Sequence, residues 1–358
     1  MKTIQRSKMS TINQSEFILS NNKIFNVMGE RDANKRKIIL GNSTFINELN
    51  EIKYNWAYEL YHTMAFTNFW VPEEISMLDD KKMFNELTEY EKRAYKLVLS
   101  FLIVLDSYQV NMLKEFARKI TAPEIIMALT AQEFQEALHS KSYQYILESV
   151  VPTKDIDKVY NLWREDQVLL ERNAVIAELY NNFIDNPTLE NFVKALIGNY
   201  LLESLYFYSG FTFFYNLGAQ SKMINTMQQI KYINRDELTH VTLFKNLINE
   251  LRKEYKDLFT PELTKWIVEY TKFAAEKEIE WAHYITKEQI TGLNNYVLRK
   301  YIEYIANLRL TYLGFEPIYE VGENPLKHLE KLATISNSKT DFFQSKPQNY
   351  QGRNTLKW

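Results

Sequence analysis

Apolar residues along the chain recur at intervals of three and four positions, which is the period of a helix with one buried face. The strongest example is the stretch 91–118, which is almost continuously apolar from Leu97 to Leu105. Short polar or proline-containing breaks separate such stretches. The pattern predicts helices at residues 49–67, 91–118, 122–150, 154–184, 188–217, 221–251, 261–284 and 294–312.

Local signals mark several ends of these helices. Thr88 followed by Glu91 is the pattern of a capping box, in which each side chain bonds the backbone N–H of the other residue. Pro123 suits the first turn of a helix, because the N–H that it lacks would have no partner there. Gly218 is expected to end the helix that begins at residue 188, since glycine is favoured just after a helix.

Glycine and proline are scarce, which shapes the predicted fold. The 358 residues include 9 Gly and 8 Pro, and no glycine lies between Gly41 and Gly198. This composition leaves room for long uninterrupted helices and little room for hairpins. Hydrophobic residues make up 46% of the chain, enough for a sizeable core. We therefore predict an all-α fold.

Both ends of the chain are polar. Residues 1–45 hold too few apolar residues to form a core of their own and are predicted to be an arm, whereas residues 46–332 are predicted to be the helical domain. Residues 333–358 lack helical periodicity and are predicted to be a flexible tail that binds a partner through isolated aromatic residues. These aromatic residues are Phe342, Phe343, Tyr350 and Trp358.

Charge and cysteine content limit the classes of function. The 43 basic and 45 acidic residues nearly balance, which gives no broad field for nucleic acid or anionic lipid. Residues 1–14 lack an apolar signal segment, and no stretch approaches eighteen consecutive apolar residues, so we expect a cytoplasmic protein that does not enter a membrane. The chain has no cysteine, so any thiol chemistry associated with it must take place on a partner.

Two Glu-x-x-His pairs are the main candidate for chemistry. On a helix the glutamate and histidine of such a pair project from one face. Each pair is preceded by an acidic residue on an apolar helix face, 30 residues earlier for the first pair and 34 for the second. Two carboxylates and two such pairs form the ligand set of a dinuclear metal site in a helical bundle. The six residues are Asp106, Glu136, His139, Glu203, Glu237 and His240.

The spacing alone is weak evidence, because four of the five histidines follow a glutamate by three residues. Glu280, which pairs with His283, lies in the charged run 276–280, typical of a solvated face. Glu59 and His62 have no acidic residue on an apolar helix face upstream. The remaining six residues have an alternative interpretation as unrelated buried polar groups. That alternative leaves four buried carboxylates with two histidines, whereas two iron or manganese ions supply four positive charges. The sequence therefore favours a dinuclear site.

Tyr143 lies one turn beyond the first pair, on the same helix face. A phenol kept away from water beside an oxidising metal pair can lose an electron and keep the resulting radical. Ordinary aromatic packing is the alternative interpretation. Three apolar residues on the inner faces of other ligand-bearing helices are expected to enclose the phenol, namely Phe207, Phe211 and Ile233.

From about Trp56 to its end, the chain resembles the small, radical-generating (beta) subunit of class I ribonucleotide reductase. The matching stretches are residues 69–74 (FWVPEE), 105–107 (LDS), 136–143 (EALHSKSY), 203–208 (ESLYFY) and 235–240 (RDELTH). The resemblance implies a ferritin-like bundle whose dinuclear centre is activated by oxygen or a related oxidant, with Tyr143 as the stored radical. The centre would hold two irons, two manganese ions or one of each, with iron as the default.

The resemblance also implies a radical route and a set of partners. The route would leave the metal site through His139, Asp236 and Trp70 and continue to Tyr350 in the tail. The main partner would be the large catalytic (alpha) subunit, whose cysteines reduce ribonucleotides to deoxyribonucleotides. A homodimer, and an activase or electron donor that assembles the metal site, are implied as well.

Two features depart from the family pattern. Several members have a tryptophan one turn before the first glutamate of the pairs, where this chain has Gln132, so electron delivery during assembly is expected to differ. Residues 1–45 are too short for the nucleotide-sensing domain of some relatives. One competing function is an iron-storage or metal-binding ferritin-like bundle without a radical, which gives no reason for Trp70, Asp236 and Tyr350. Another is a related dimetal oxidase acting on its own small substrate, which would need a substrate channel at the metal pair.

Overall fold

Long helices make up most of the structure, a computed structural model that describes residues 16–333. The β-type backbone pairing among these residues consists of three isolated bridges. The prediction of an all-α fold is confirmed. The α-helices of the described region are α1 (Asn55–His62), α2 (Leu78–Glu86), α3 (Glu89–Ala117), α4 (Pro123–Val150), α5 (Thr153–Glu165), α6 (Gln167–Asp185), α7 (Leu189–Leu201), α8 (Tyr208–Ala219), α9 (Ile224–Glu254), α10 (Pro261–Thr286), α11 (Asn295–Tyr312) and α12 (Lys327–Ala333).

Helix α3 begins with the predicted capping box. The Glu91 backbone N–H donates to Thr88 Oγ1 at 3.2 Å, and the Thr88 N–H donates to Glu91 Oε2 at 2.8 Å. A cap of this kind typically contributes about 1 kcal/mol to stability. The apolar stretch that follows is buried in the core, and it brings Asp106 into the middle of the bundle.

Helix α3 is also long and apolar enough, by length and composition, to cross a membrane. However, 67% of its apolar window is buried inside the protein. Core helices of soluble proteins pass the same test, because a helix buried on most of its surface is apolar on most of its surface. A single such helix is therefore weak evidence for a membrane span.

Two π-helical turns interrupt stretches for which the sequence predicts regular helix. One is Thr63–Thr67, directly after α1, and the other is Leu202–Tyr206, between α7 and α8. A π turn adds one residue to a helical turn and is frequent at functional sites. Neither segment contains glycine or proline, so the sequence gives no local signal for either turn.

Several predicted helix boundaries are wrong. The predicted helix 154–184 is two helices, α5 and α6, because the Asp166 side chain accepts a hydrogen bond from the Leu169 N–H at 3.1 Å and caps a new helix. Gly218 lies inside α8, which ends at Ala219. Helix α1 begins later than predicted, and α2 is not among the predicted helices.

The described part of the predicted arm, residues 16–45, is mostly irregular and includes a short 3-10 helix, Ala33–Lys35. Leu19 and Ile38 are almost fully buried. The Thr121 N–H donates to the Ile38 carbonyl at 2.7 Å, and the Leu19 N–H donates to the Pro187 carbonyl at 2.8 Å. This segment therefore contributes apolar side chains to the core of the helices rather than forming a core of its own.

The predicted tail falls almost entirely outside the described residues, which end at residue 333. Tyr350 and the aromatic residues expected to anchor the tail belong to this outer part. The division of the chain at residues 45 and 332, and the function assigned to the tail, therefore stay predictions based on the sequence.

Candidate metal centre

Six polar side chains meet in the centre of the bundle, and every one of them is fully buried. They come from four segments that are far apart in the sequence, and they are the six residues that the sequence predicts as ligands. These are Asp106 of α3, Glu136 and His139 of α4, Glu203 of the second π turn, and Glu237 and His240 of α9.

One half of this cluster surrounds Nδ1 of His139 and is called the His139 half. This nitrogen lies 3.1 Å from Glu237 Oε1, 3.5 Å from Glu136 Oε2 and 3.8 Å from Asp106 Oδ2. The potential ligand atoms of the four residues lie within 4.8 Å of one another. Such a set can surround a single cation.

The other half surrounds Nδ1 of His240 and is called the His240 half. This nitrogen lies 2.9 Å from Glu237 Oε2, 3.2 Å from Glu136 Oε1 and 3.8 Å from Glu203 Oε2. Glu136 and Glu237 therefore present one oxygen to each half, whereas Asp106 and Glu203 each belong to one half. The arrangement suits two neighbouring cations that share two carboxylates.

Many of the inward-facing atoms have no hydrogen-bond partner among the described residues. Buried polar atoms in proteins are nearly always paired, so this concentration indicates that the atoms serve another purpose. Four carboxylates beside two imidazoles need about four positive charges, which two divalent cations provide. The residues therefore fit a dinuclear centre. The unpaired atoms are Asp106 Oδ1 and Oδ2, Glu136 Oε2, His139 Nδ1, Glu203 Oε2 and Glu237 Oε1.

The carboxylates of the cluster oppose one another's ionisation. Burial, reinforced by the charge of Glu136, raises the pKa of Asp106 and of Glu203 well above the usual range. Burial also acts to raise the pKa of Glu237, but the neighbouring His240 and further hydrogen bonds outweigh it, and the pKa of Glu237 is lowered. Metal ions, which compete with protons for such groups, would relieve the repulsion between the carboxylates.

The outward-facing nitrogen of each histidine also has a partner. His139 Nε2 lies 3.3 Å from Asp236 Oδ2, and His240 Nε2 lies 2.9 Å from Gln135 Oε1. Contacts of this kind fix the tautomer and aim the other ring nitrogen at a metal. The role of Gln135 is not predicted from the sequence, because a glutamine beside a glutamate on a helix is an ordinary combination.

Two further glutamines hold Glu203. Gln132 Nε2 donates to Glu203 Oε1 at 2.7 Å and to Glu136 Oε1 at 3.0 Å, and Gln109 Nε2 also donates to Glu203 Oε1. Gln132 stands where several members of the family have a tryptophan. In this structure its amide links two carboxylates of the cluster. The only sequence signal for Gln109 is its position one turn after Asp106.

Tyr143 is fully buried beside the cluster. Burial, together with the negative charges of Asp106, Glu237 and Glu136, raises the pKa of the phenol well above its usual range and keeps the phenol protonated. Its hydroxyl makes no hydrogen bond of normal geometry within the described residues. The residue is thus a neutral phenol shielded from water. Among the carboxylates whose charge raises its pKa, Asp106 has the largest effect.

The three residues predicted to enclose the phenol are buried in the same apolar core as Tyr143. Phe207 and Phe211 stack on each other, with ring centroids 5.3 Å apart and an interplanar angle of 10°. Ile233 is fully buried on α9. Their burial agrees with a water-excluding role around the phenol, and that role stays a prediction.

A chain of polar contacts leads from His139 to Trp70. Oδ2 of Asp236, which faces His139 Nε2, accepts a hydrogen bond of 2.8 Å from Trp70 Nε1. Arg235 holds the other oxygen of Asp236 through its Nε at 3.1 Å and its Nη2 at 3.0 Å. Trp70 also stacks on Tyr232 at 5.3 Å. The structure therefore brings together three of the four residues predicted for the radical route.

A buried amide connects the segment of Trp70 with the helix of Tyr143. Gln229 of α9 donates from Nε2 to the Pro72 carbonyl at 2.7 Å and accepts from Ser142 Oγ at 2.9 Å. Ser142 precedes Tyr143 on α4, and Pro72 lies two residues after Trp70. Gln229 and Ser142 are both fully buried, so this bridge is shielded from water.

The other two Glu-x-x-His pairs lie outside the cluster. Glu59, His62 and Glu280 are exposed. His283 Nε2 donates to the Asn295 carbonyl at 3.0 Å instead of meeting carboxylates. Neither pair belongs to a potential ligand group in the described region. One part of the prediction is wrong, because the charged run around Glu280 is not entirely solvated, and Glu278 within it is fully buried.

A helical bundle whose core joins two Glu-x-x-His pairs and two further carboxylates defines the class of dimetal carboxylate proteins. Within that class, residues 46–325 match the family described as "Ribonucleotide reductase, small chain". The match covers most of the sequence. The chain belongs to the ribonucleotide reductase small chain family.

Individual relatives agree with the family match. The chain is 42% identical to the ribonucleoside-diphosphate reductase subunit beta of Treponema pallidum over 340 residues, which cover 94% of this chain and 97% of that protein. It is 39% identical to the subunit of the same name from Halalkalibacterium halodurans, with 87% and 91% covered. The solved ribonucleotide reductase R2 subunit from Clostridium botulinum superposes with a TM-score of 0.86 at 43% identity, covering 89% of this chain and 100% of that one.

Proposed function

We propose that this chain is the small, radical-generating subunit of a ribonucleoside-diphosphate reductase. The large catalytic subunit of such an enzyme reduces ribonucleotides to deoxyribonucleotides, and the small subunit supplies the radical that starts each reduction. Family membership and the named relatives support this function. The observation that carries this function is the chain of contacts from the cluster through His139 and Asp236 to Trp70. A bundle that only stores metal would not need such a chain.

The two halves of the cluster would each hold one metal ion, with Glu136 and Glu237 as ligands to both. Oxygen ligands with one imidazole per ion suit iron and manganese, and two irons, two manganese ions or one of each satisfy the same set. Iron is the default expectation. When bound and activated by an oxidant, such a centre supplies the oxidising power that removes an electron from a nearby phenol.

Tyr143 is the proposed donor of that electron. Its pKa is raised by burial, so the phenol begins in the protonated state, and the proton leaves its oxygen when the electron does. The proton is proposed to pass toward the carboxylates of the cluster, among which Asp106 has the largest effect on the phenol. Phe207, Phe211 and Ile233 would then keep water from the phenoxyl oxygen.

The proposed route out of the site begins at His139 and passes through Asp236 to Trp70. When Trp70 gives an electron to the oxidised Tyr143, the tyrosine oxygen takes back the proton that it lost. The Nε1 proton of Trp70 can move along the 2.8 Å hydrogen bond to Asp236 Oδ2 and return when the indole is reduced. Arg235 holds the carboxylate in place during this exchange. Tyr350 is the proposed next residue, between Trp70 and the large subunit.

The proposal includes a homodimer of this chain and an activase or electron donor that assists assembly of the metal site. The tail, residues 333–358, is proposed to bind the large subunit through its aromatic residues. We also propose that the protein works in the cytoplasm, where the nucleotides that its partner reduces are found. Fractionation of cells that produce the protein tests this location.

Electron paramagnetic resonance of the reconstituted protein tests the proposed function most directly. The protein is loaded with Fe(II) and oxygen, or with Mn(II) and an oxidant, and a tyrosyl-type signal is expected at low temperature. Addition of the large subunit and a ribonucleoside diphosphate should then give deoxynucleotide. A loaded protein that shows no organic radical and supports no reduction would instead favour a dimetal oxidase or a metal-binding protein.

The proposed route through the tail has its own test. The substitution Tyr350→Phe should leave binding to the large subunit and the Tyr143 radical intact while it stops deoxynucleotide formation, because phenylalanine keeps the shape but is far harder to oxidise. Deletion of residues 334–358 should abolish binding to the large subunit without changing metal loading. Normal turnover by the Tyr350→Phe variant would remove this residue from the route.

A further inference from the structure

Glu203 is the one cluster residue that lies on a π turn, and the backbone of this turn is held by other helices. A π turn shifts the register of the helical hydrogen bonds, so backbone groups near it need partners from elsewhere. All five residues of Leu202–Tyr206 are buried. Side chains of other helices supply two of these partners.

Arg309 of α11 provides the first of these partners. Its Nε donates a 2.8 Å hydrogen bond to the carbonyl of Ser204, the residue that follows Glu203. The guanidinium lies 5.1 Å from the centre of the Tyr208 ring, directly beyond the turn, and Arg309 is 4% exposed. A buried, stacked guanidinium has little freedom to move, so it fixes the position of the carbonyl that it bonds.

Glu278 of α10 provides the second partner. Its Oε1 accepts a hydrogen bond of 3.2 Å from the N–H of Ser209, in the first turn of α8. N–H groups at this point of a helix have no partner within the helix, and a carboxylate there is also favoured by the helix dipole. The carboxylate therefore anchors α8 where it leaves the π turn.

Arg172 of α6 completes this second support. It forms a buried ion pair with Glu278 and donates from Nη1 to the Lys277 carbonyl at 2.8 Å. Its guanidinium also lies 4.7 Å from the centre of the ring of Tyr206, the last residue of the π turn. One arginine thus contacts both the π turn and the carboxylate that anchors the following helix.

The hydrogen bonds of these supports reach the backbone of the π turn and of the start of α8, and Glu203 is the one cluster residue that lies there. Asp106, Glu136, His139, Glu237 and His240 lie on α3, α4 and α9, long helices whose backbones are held by their own hydrogen bonds. Glu203 belongs to the His240 half and not to the His139 half. A looser π turn would therefore disturb the two halves unequally.

We propose that Arg309 and the Arg172–Glu278 pair are positioning residues that hold the π turn and keep Glu203 directed at the His240 half. The inference rests on the proposed function, because it assumes that both halves bind metal. Loss of a support lowers the metal affinity of the His240 half and leaves that of the His139 half unchanged.

Titration of the full chain with Mn(II) tests this inference, with the number of bound ions measured by calorimetry and electron paramagnetic resonance. The wild type should bind two ions per chain. The substitution Arg309→Gln should leave one ion at its original affinity and weaken the other about tenfold or more, as is usual when a residue behind a ligand is changed. Arg309→Lys keeps a donor for the Ser204 carbonyl. Its affinity for the weakened ion should therefore lie between those of the wild type and the Arg309→Gln variant.

Arg252→Gln is the matched control. Arg252 also donates to a backbone carbonyl, that of Leu313 at 2.6 Å, and its guanidinium lies 4.7 Å from the Phe315 ring centre. It stands on α9 about 18 Å along the helix from His240, at 1.5 Å per residue. This variant should bind both ions as the wild type does.

Hydrogen exchange gives a second readout that needs no metal. Amides of residues 203–209 should exchange faster in the Arg309→Gln protein than in the wild type or the Arg252→Gln control.

Wild-type affinity for both ions in Arg309→Gln, or equal weakening of both, would overturn this inference and leave the proposed function untouched. If Arg309→Gln does not fold, Arg309→Lys is judged by the same criterion. A wild-type chain that binds fewer than two ions would overturn the proposed metal site and the inference with it.

Discussion

Trp70 and His139 are joined through a single oxygen atom, Oδ2 of Asp236, which accepts from Trp70 Nε1 at 2.8 Å and lies 3.3 Å from His139 Nε2. The centroids of the two rings lie 6.4 Å apart, and the ring planes are inclined by 29°. Because one oxygen serves both rings, a change at Asp236 acts on the metal cluster and on the indole together. A change at Trp70 acts on the indole alone.

The first prediction separates these two effects. Asp236→Ala should weaken metal binding in the His139 half by about 10–100-fold, because His139 loses the group that orients it, and should also stop deoxynucleotide formation. Trp70→Phe should bind metal normally and still stop turnover, since its ring cannot give up an N–H proton. Mn(II) titration and turnover with the large subunit are the measurements. Normal turnover by Trp70→Phe would remove the indole from the route.

The second prediction concerns the shared carboxylate Glu237. It presents one oxygen to each half, so Glu237→Ala should lower the affinity for both ions, whereas His139→Ala should chiefly affect the ion of its own half. Metal analysis after dialysis against Fe(II) or Mn(II) measures the number of ions. His62→Ala, in an exposed Glu-x-x-His pair, is the control and should retain two. Full dinuclear occupancy in both cluster variants would contradict the site.

The third prediction concerns Tyr143. The substitution Tyr143→Phe removes one oxygen from a fully buried ring, so the fold and the metal content should stay unchanged while the tyrosyl-type signal disappears. The radical signal and reductase turnover are measured on the same sample. An unchanged signal would refute the assignment. Turnover without a tyrosyl signal would show that the oxidising equivalent resides elsewhere than on this phenol.

The fourth prediction concerns Gln135, whose Oε1 is the partner of His240 Nε2. Gln135→Leu leaves this imidazole N–H buried without an acceptor, which typically costs about 1–3 kcal/mol and frees the ring to turn. Affinity for the ion of the His240 half should fall by about 10–100-fold. Gln144→Leu, at an exposed position of the same helix, should bind as the wild type does. Equal Mn(II) affinity in the two variants would contradict the role given to Gln135.

The sequence could predict those parts of the candidate site that depend on the geometry of a single helix. Glu136 and His139 are one turn apart on the same helix, so their meeting requires no knowledge of the fold. The burial of Asp106 likewise follows from the apolar residues on its own helix face. Spacing, together with the apolar helix faces on which Asp106 and Glu203 lie, could therefore nominate all six cluster residues.

Features that depend on which helices face each other could not be predicted in this way. Gln135 matters because His240, from another helix, lies 2.9 Å away. Glu278 lies in a charged run and looked solvated, but Arg172, far away in the sequence, pairs with it in the core. The π turn that carries Glu203 lacks a local sequence signal, and groups on two other helices bond its Ser204 carbonyl and the Ser209 N–H at the start of α8.

The amide bridge of Gln229 has a consequence for control of the radical. It ties the segment of Trp70 to the helix of Tyr143, and the shared oxygen of Asp236 ties the same indole to His139. The spacing between the tyrosine and the tryptophan is therefore a fixed property of the folded chain. We expect this spacing to stay unchanged when a partner docks, and we propose that the timing of radical release is set beyond Trp70, by whether an acceptor has arrived within reach of the indole.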